Sequence, residues 1–194
     1  MQPQFTIPEI AEALCNADGL ILSDHKRAYS QVRHMVRLNL LPSPTVIDKR
    51  GTLSFPAVAV YRARLFKEII DISADLTRVA GPVIHAENES APVGAWPERT
   101  NTASGARNWR GLEDIALGVT AATPAEDWRL QIGIYAATHT EEPRIVARYV
   151  WTNAPADGLS EADIETVEST FPAKIRWHFD IHLNELFANL PPLS

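Results

Sequence analysis

Lys26, Ser30, Arg33 and Arg37 recur at steps of three and four residues, the spacing that aligns side chains along one face of an α-helix. Three cations and a hydroxyl on one ridge suit contact with phosphate oxygens and with the acceptor edges of bases. Lys26 and Arg27 stand at the start of this stretch and are the candidates for base contact, because the N-terminal side chains of such a helix reach furthest into a groove. Arg33 and Arg37 suit phosphate contact or packing against a neighbouring hairpin. Lys49 and Arg50 lie in Asp48-Lys49-Arg50-Gly51, which reads either as a basic tip reaching a minor groove or backbone, or as an ordinary turn. Arg62 and Arg64 follow near the start of a later helical stretch.

The overall net charge of −6 conceals a division. Residues 1–80 hold ten Lys/Arg against eight Asp/Glu, a balance of +2, and residues 81–194 hold eight against sixteen, a balance of −8. Within 25–67 there are nine basic residues and one acidic, Asp48. Such a patch attracts phosphates, and the acidic remainder is repelled by them. An unevenly charged, solvated surface would show the same asymmetry.

The elements that must position these residues follow from periodicity. Thr6 with Glu9 three positions on forms a capping box, Pro8 suits a first turn, and Ile7, Ile10, Ala11 and Leu14 repeat at helical spacing. Asn16, Asp18 and Gly19 end this helix, and Ser23 or Asp24 caps a second over about residues 24–38. On the second helix Tyr29, Val32, Val36 and Leu40 form an apolar stripe, with the basic stripe roughly a third of a turn away. Asn39 suits a left-handed cap, and Pro42 and Pro44 prevent continuation. Thr45 to Phe55 reads as a short hairpin. Ser54 is expected to cap a third helix with Pro56 in its first turn, carrying the seam Val58, Tyr61, Leu65, Ile69, Ile72 and Leu76 until Gly81-Pro82. Residues 81–110 read as a linker. Beyond it, Trp128–Tyr135 and Arg144–Trp151 read as strands, Ser160 to about Thr170 as a helix, and about Ala173 to Leu190 as a last helix.

The string VRHMVRLNLLP, Val32 to Pro42, resembles the end of the recognition helix and the turn of MerR-type regulators. Val32, Arg33, Arg37, Leu40, Leu41 and Pro42 match that pattern; His34 and Met35 stand where the family has aromatics, and Asn39 where it has glycine. FTIPEIAEAL resembles the family's first helix, and TLSFPAVAVYRARLFKEI the stretch from wing into third helix. The resemblance covers residues 5–72. The segment CNADGLILSD is longer than the family's tight turn. The resemblance implies a winged helix-turn-helix that binds double-stranded DNA, with Arg62 and Arg64 at backbone-contacting positions. MerR-like wings also occur in excisionases and DNA-packaging proteins, so an accessory factor is an alternative to a transcriptional regulator. A protein adaptor that binds no DNA is a third reading.

Other chemistry is thinly represented. His178 and His182 form an i, i+4 pair with Asp180 and Glu185 nearby, a spacing that ligates zinc on a helix, yet no third ligand is assured and no metal is expected. Cys15, the single cysteine, reads as a small buried hydrophobe. No nucleophile elbow, phosphate-binding glycine loop or HExxH is present, so neither catalysis nor a cofactor is expected. MQPQFTIPEI has neither the basic start nor the apolar run of a signal peptide. No stretch approaches the roughly 20 apolar residues of a membrane span, and a cytoplasmic protein is expected. The expected class is α+β: a winged helix-turn-helix over 1–80, a linker over 81–110, and a small acidic α+β domain over 111–194. The expected partners are double-stranded DNA, a second copy paired through the third-helix seam at Ile69 to Leu76, and a protein or small-molecule effector at the C-terminal domain.

Overall fold

A computed structural model describes residues 3–19, 24–44, 46–47, 51–73, 76–89, 111–120, 127–135, 144–151 and 175–193. The chain divides into two units, one of Met1–Ala80 with Glu185–Ser194, the other of Gly81–Asn184. Both α-helices and β-strands are present, so the class is α+β.

In the first unit, β1 (Gln4–Thr6) leads straight into α1 (Ile7–Ala17). The Thr6 backbone N–H and hydroxyl donate to the Glu9 carboxylate at 2.7 and 2.8 Å. Ile10, Ala11, Leu14 and Cys15 form its buried face, and Gly19, with φ +63°, closes the turn after it. The second helix, α2 (His25–Arg37), ends as expected, with Asn39 in the left-handed region at φ 55° and the Leu40 N–H donating to the Met35 carbonyl at 3.0 Å. Its buried face differs from the expected stripe. Ala28, Val32 and Met35 are buried, while Tyr29 is exposed and Val36 is intermediate. The misreading arises because Ala28 and Met35 are less conspicuous than the larger Tyr29, yet both are buried.

Strands β2 (Val46–Ile47) and β3 (Leu53–Pro56) pair antiparallel, Val46 opposite Ser54 and Ile47 opposite Leu53. The hairpin is therefore present, and its tip, Asp48 to Arg50, lies outside the described residues. A strand missing from the sequence reading, β1, pairs on the other side of β3, with Phe5 opposite Phe55, giving the order β1-β3-β2. Ser54 and Pro56 consequently belong to β3 and do not cap a helix.

The third helix, α3 (Val58–Ser73), is shorter than expected, and α4 (Leu76–Glu89) follows. Gly81-Pro82 does not end the helix; both residues lie inside α4, so residues 81–89 are helical rather than linker. Leu76, Val79, Ala80, Val83 and Ala86 are buried at helical spacing. Burial of this stripe offsets the roughly 3 kcal/mol that an interior proline costs. Of the seam residues Ile69, Ile72 and Leu76, only Ile72 is exposed, at 48%; the other two are consumed within one chain and leave little of that seam for a second copy.

Residues 185–194 return to the first unit. Phe187 packs edge-on against Tyr61 with ring centroids 5.1 Å apart. The Tyr61 hydroxyl donates to the Pro191 carbonyl at 2.8 Å. Phe187, Leu190 and Leu193 are all buried.

The second unit holds α5 (Leu112–Val119) and the antiparallel sheet β5-β4-β6, made of β4 (Trp128–Tyr135), β5 (Arg144–Trp151) and β6 (Ile175–His182). Alternate residues Trp128, Leu130 and Ile132 of the central strand are buried, and Leu130 stands opposite both Tyr149 and Ile181. The helix expected over 173–190 is a correction: Ile175–His182 is strand, and among the described residues of that range only α6 (Leu183–Phe187) is helical. The alternation Ile175, Trp177, Phe179, Ile181 is the two-residue period of a strand. The helix expected from Ser160 lies outside the described residues.

Candidate nucleic-acid interface

The α2 helix carries four cations and no acid between His25 and Arg37. Lys26, Ser30, Arg33 and Arg37 are all exposed, whereas Ala28, Val32 and Met35 are buried. At roughly 100° per residue the two stripes fall on nearly opposite sides of the helix, farther apart than a third of a turn. The buried stripe thus aims the basic one away from the core. Along it the Ser30 hydroxyl donates to the Lys26 carbonyl at 2.9 Å, and Arg37 donates to His34 Nδ1 at 3.0 Å. The Arg33 guanidinium lies 5.9 Å from the centre of the exposed Tyr29 ring, a cation–π distance that preorganises the charge without neutralising it.

Arg27 is turned about a quarter of a circle from that stripe. It borders a cleft of about 530 Å³ with Asp24, Gln31, Arg64, Lys67 and Asp71. Its Nη2 lies 3.5 Å from Asp71 Oδ1, and its side chain is 72% exposed. Lys67 Nζ lies 2.9 Å from Asp71 Oδ2 and 3.1 Å from Asp18 Oδ2, and Arg64 Nη1 lies 2.7 Å from Asp18 Oδ1. Burial alone would lower the pKa of Lys67, but its hydrogen bonds to Asp71 and Asp18 outweigh that and raise it above the usual lysine value. Five charges thus alternate from α3 through the end of α1 to the start of α2.

The site residues read from the sequence therefore separate. Lys26, Ser30, Arg33 and Arg37 share one exposed face. Arg64 departs from a surface role: its side chain is only 13% exposed, it pairs with Asp18, and its Nε donates to the Leu186 carbonyl at 3.4 Å. Arg62 is partly buried. Lys49 and Arg50 lie outside the described residues. Tyr29 was read as core, although its position beside Arg33 four residues later was the available signal for a surface partner.

His178 and His182 lie on a strand, where residues four apart are separated by about 13 Å along the chain, too far to share a zinc ion. Among the described residues no group of three or more His, Cys, Asp or Glu could hold a metal. Cys15 is buried, and burial pushes its thiol pKa up, the opposite of an activated nucleophile. Among the described residues no helix is long and apolar enough to cross a membrane. Neither family models, nor curated proteins, nor solved structures give a match to this chain.

Proposed function

We propose that this chain binds double-stranded DNA, with α2 as the recognition helix of a winged helix-turn-helix unit, and acts as a sequence-specific regulator of transcription. The observation that carries the reading is the disposition of α2. Its acid-free basic stripe faces outward, opposite the residues that fasten it to the core. A helix presented this way fits a major groove, with cations along its length meeting the flanking phosphates. The antiparallel pair β2–β3 next in the chain supports the role of a wing. Of the third-helix seam expected to pair two copies, Ile69 and Leu76 are buried and Ile72 is exposed.

Titration of the full chain with a mixed-sequence 20-base-pair duplex at increasing salt tests the proposal. The expected result is binding that weakens linearly on logarithmic axes, with a slope of about −0.9 for each phosphate contacted. Absence of binding at low salt, with the protein folded, would overturn it. Selection from a random DNA pool then tests sequence preference: enrichment of one motif is expected, and an unenriched pool would leave only non-specific affinity.

A further inference from the structure

Arg27, with Lys26, is a sequence candidate for base contact, yet its guanidinium lies beside a carboxylate of its own chain. Asp71 Oδ2 is held at 2.9 Å by Lys67, and Lys67 is held in turn by Asp18, so the second oxygen, Oδ1, is presented toward Arg27 at 3.5 Å. This places an anion where a phosphate oxygen would otherwise approach Arg27. The surroundings reinforce it: Asp24 and Glu68 line the same cleft. The outward stripe of Lys26, Arg33 and Arg37 has no such acidic neighbour on α2. Among the described residues the basic surface is therefore unequal, with no α2 acid along the stripe and Asp71 beside Arg27.

We propose that Asp71 is a specificity-determining residue, an internal phosphate mimic that withholds Arg27 from non-specific DNA. The inference rests on the DNA-binding reading above. Any duplex offers phosphates, and an unoccupied arginine would grip them regardless of sequence. With Asp71 in place, a DNA contact must displace an existing ion pair, and a phosphate brought near also meets the Asp71 charge. Only a site that gives Arg27 something better than one phosphate oxygen, such as the two acceptors of a guanine edge, repays the exchange. The pair is monodentate and solvent-exposed at Arg27, so it biases the contact without blocking it.

The test measures binding of the full chain to a mixed-sequence 20-base-pair duplex across a salt series, for wild type, Asp71→Asn, Arg27→Ala and the double variant. Asp71→Asn is expected to bind this duplex roughly two- to fivefold more tightly, with a salt slope steeper by about 0.9. In the Arg27→Ala background the gain should vanish. Circular dichroism melts accompany each variant, and Asp71→Glu, which restores the charge, should return affinity toward wild type. Unchanged or weaker binding by folded Asp71→Asn would overturn the inference. So would an equal gain in the Arg27→Ala background, which would mean a general charge effect. If wild type itself does not bind duplex DNA, the functional proposal fails, and this inference falls with it.

Discussion

The hydroxyl of Tyr61 donates to the carbonyl of Pro191 at 2.8 Å, joining residues 130 positions apart in the chain. Together with the Phe187 ring against Tyr61, this contact makes residues 185–194 part of the same core as α3. Phe187→Ala should therefore cost about 3–5 kcal/mol, read as an earlier midpoint in urea denaturation. Tyr61→Phe should cost about 0.5–1.5 kcal/mol. A fragment of residues 1–80 should be much less stable than the whole chain, although it contains every candidate DNA contact. An unchanged midpoint for Phe187→Ala would show that these residues do not support the core.

Arginines on and off the outward stripe should behave differently. Arg33→Ala and Arg37→Ala should leave the melting temperature nearly unchanged while each lowers the salt slope of DNA binding by about 0.9. Arg64→Ala should do the reverse, costing about 1–3 kcal/mol of stability because it removes a partner of the half-buried Asp18. Equal effects of Arg64 and Arg33 on the slope would return Arg64 to the interface.

How far the sequence reveals this arrangement depends on the range of the interactions. The Thr6–Glu9 box and the left-handed Asn39 are local devices, written in three or four adjacent residues, and both are found where expected. The β2–β3 hairpin is also local, and its pairing is present. The outward stripe of α2 follows from spacing alone, but its angle to the core does not, since the burial of Ala28 and Met35 is decided by tertiary packing. Continuation of α4 through Pro82 depends on tertiary burial that outweighs a local penalty. The inward turn of Arg64 depends on Asp18, 46 positions away. The strand at 175–182 was legible in its alternation, to which Trp177 and Phe179, residues that favour strands, belong.

Acid should weaken the start of α1 in a specific window. The Thr6 backbone N–H, and secondarily its hydroxyl, hold the Glu9 pKa below the usual carboxylate value. A pKa lowered in the folded state gives stability that is present above the unfolded value and lost as pH falls through the folded one. Glu9→Gln should thus melt earlier than wild type at neutral pH, with the difference shrinking in acid below the usual carboxylate range. A difference independent of pH would detach the effect from ionisation of Glu9.

Gly111 enters α5 at φ 61° and ψ −128°, and a Cβ built there would lie 2.9 Å from the Glu87 carbonyl oxygen. Both features demand glycine. Gly111→Ala should cost about 1–3 kcal/mol from the backbone alone, more with the clash, and should broaden or lower the melting transition. A neutral substitution would mean that residues around Gly111 shift freely.

Because residues 185–194 complete the unit begun by Met1–Ala80, the chain has an imposed order of maturation. During synthesis the basic helix, ending at Arg37, emerges long before Phe187 and Pro191, which follow about 150 residues later. At about 5–20 residues per second that interval lasts on the order of ten seconds. Through it, the surface of Tyr61 that Phe187 will cover has no lid, so the nascent chain carries its basic stripe on an unfinished scaffold. Closing a contact across such a long loop is also intrinsically slow. A ribosome-stalled chain ending before Phe187 should be cut by protease within residues 1–80, and one extended past Ser194 clear of the exit tunnel should resist.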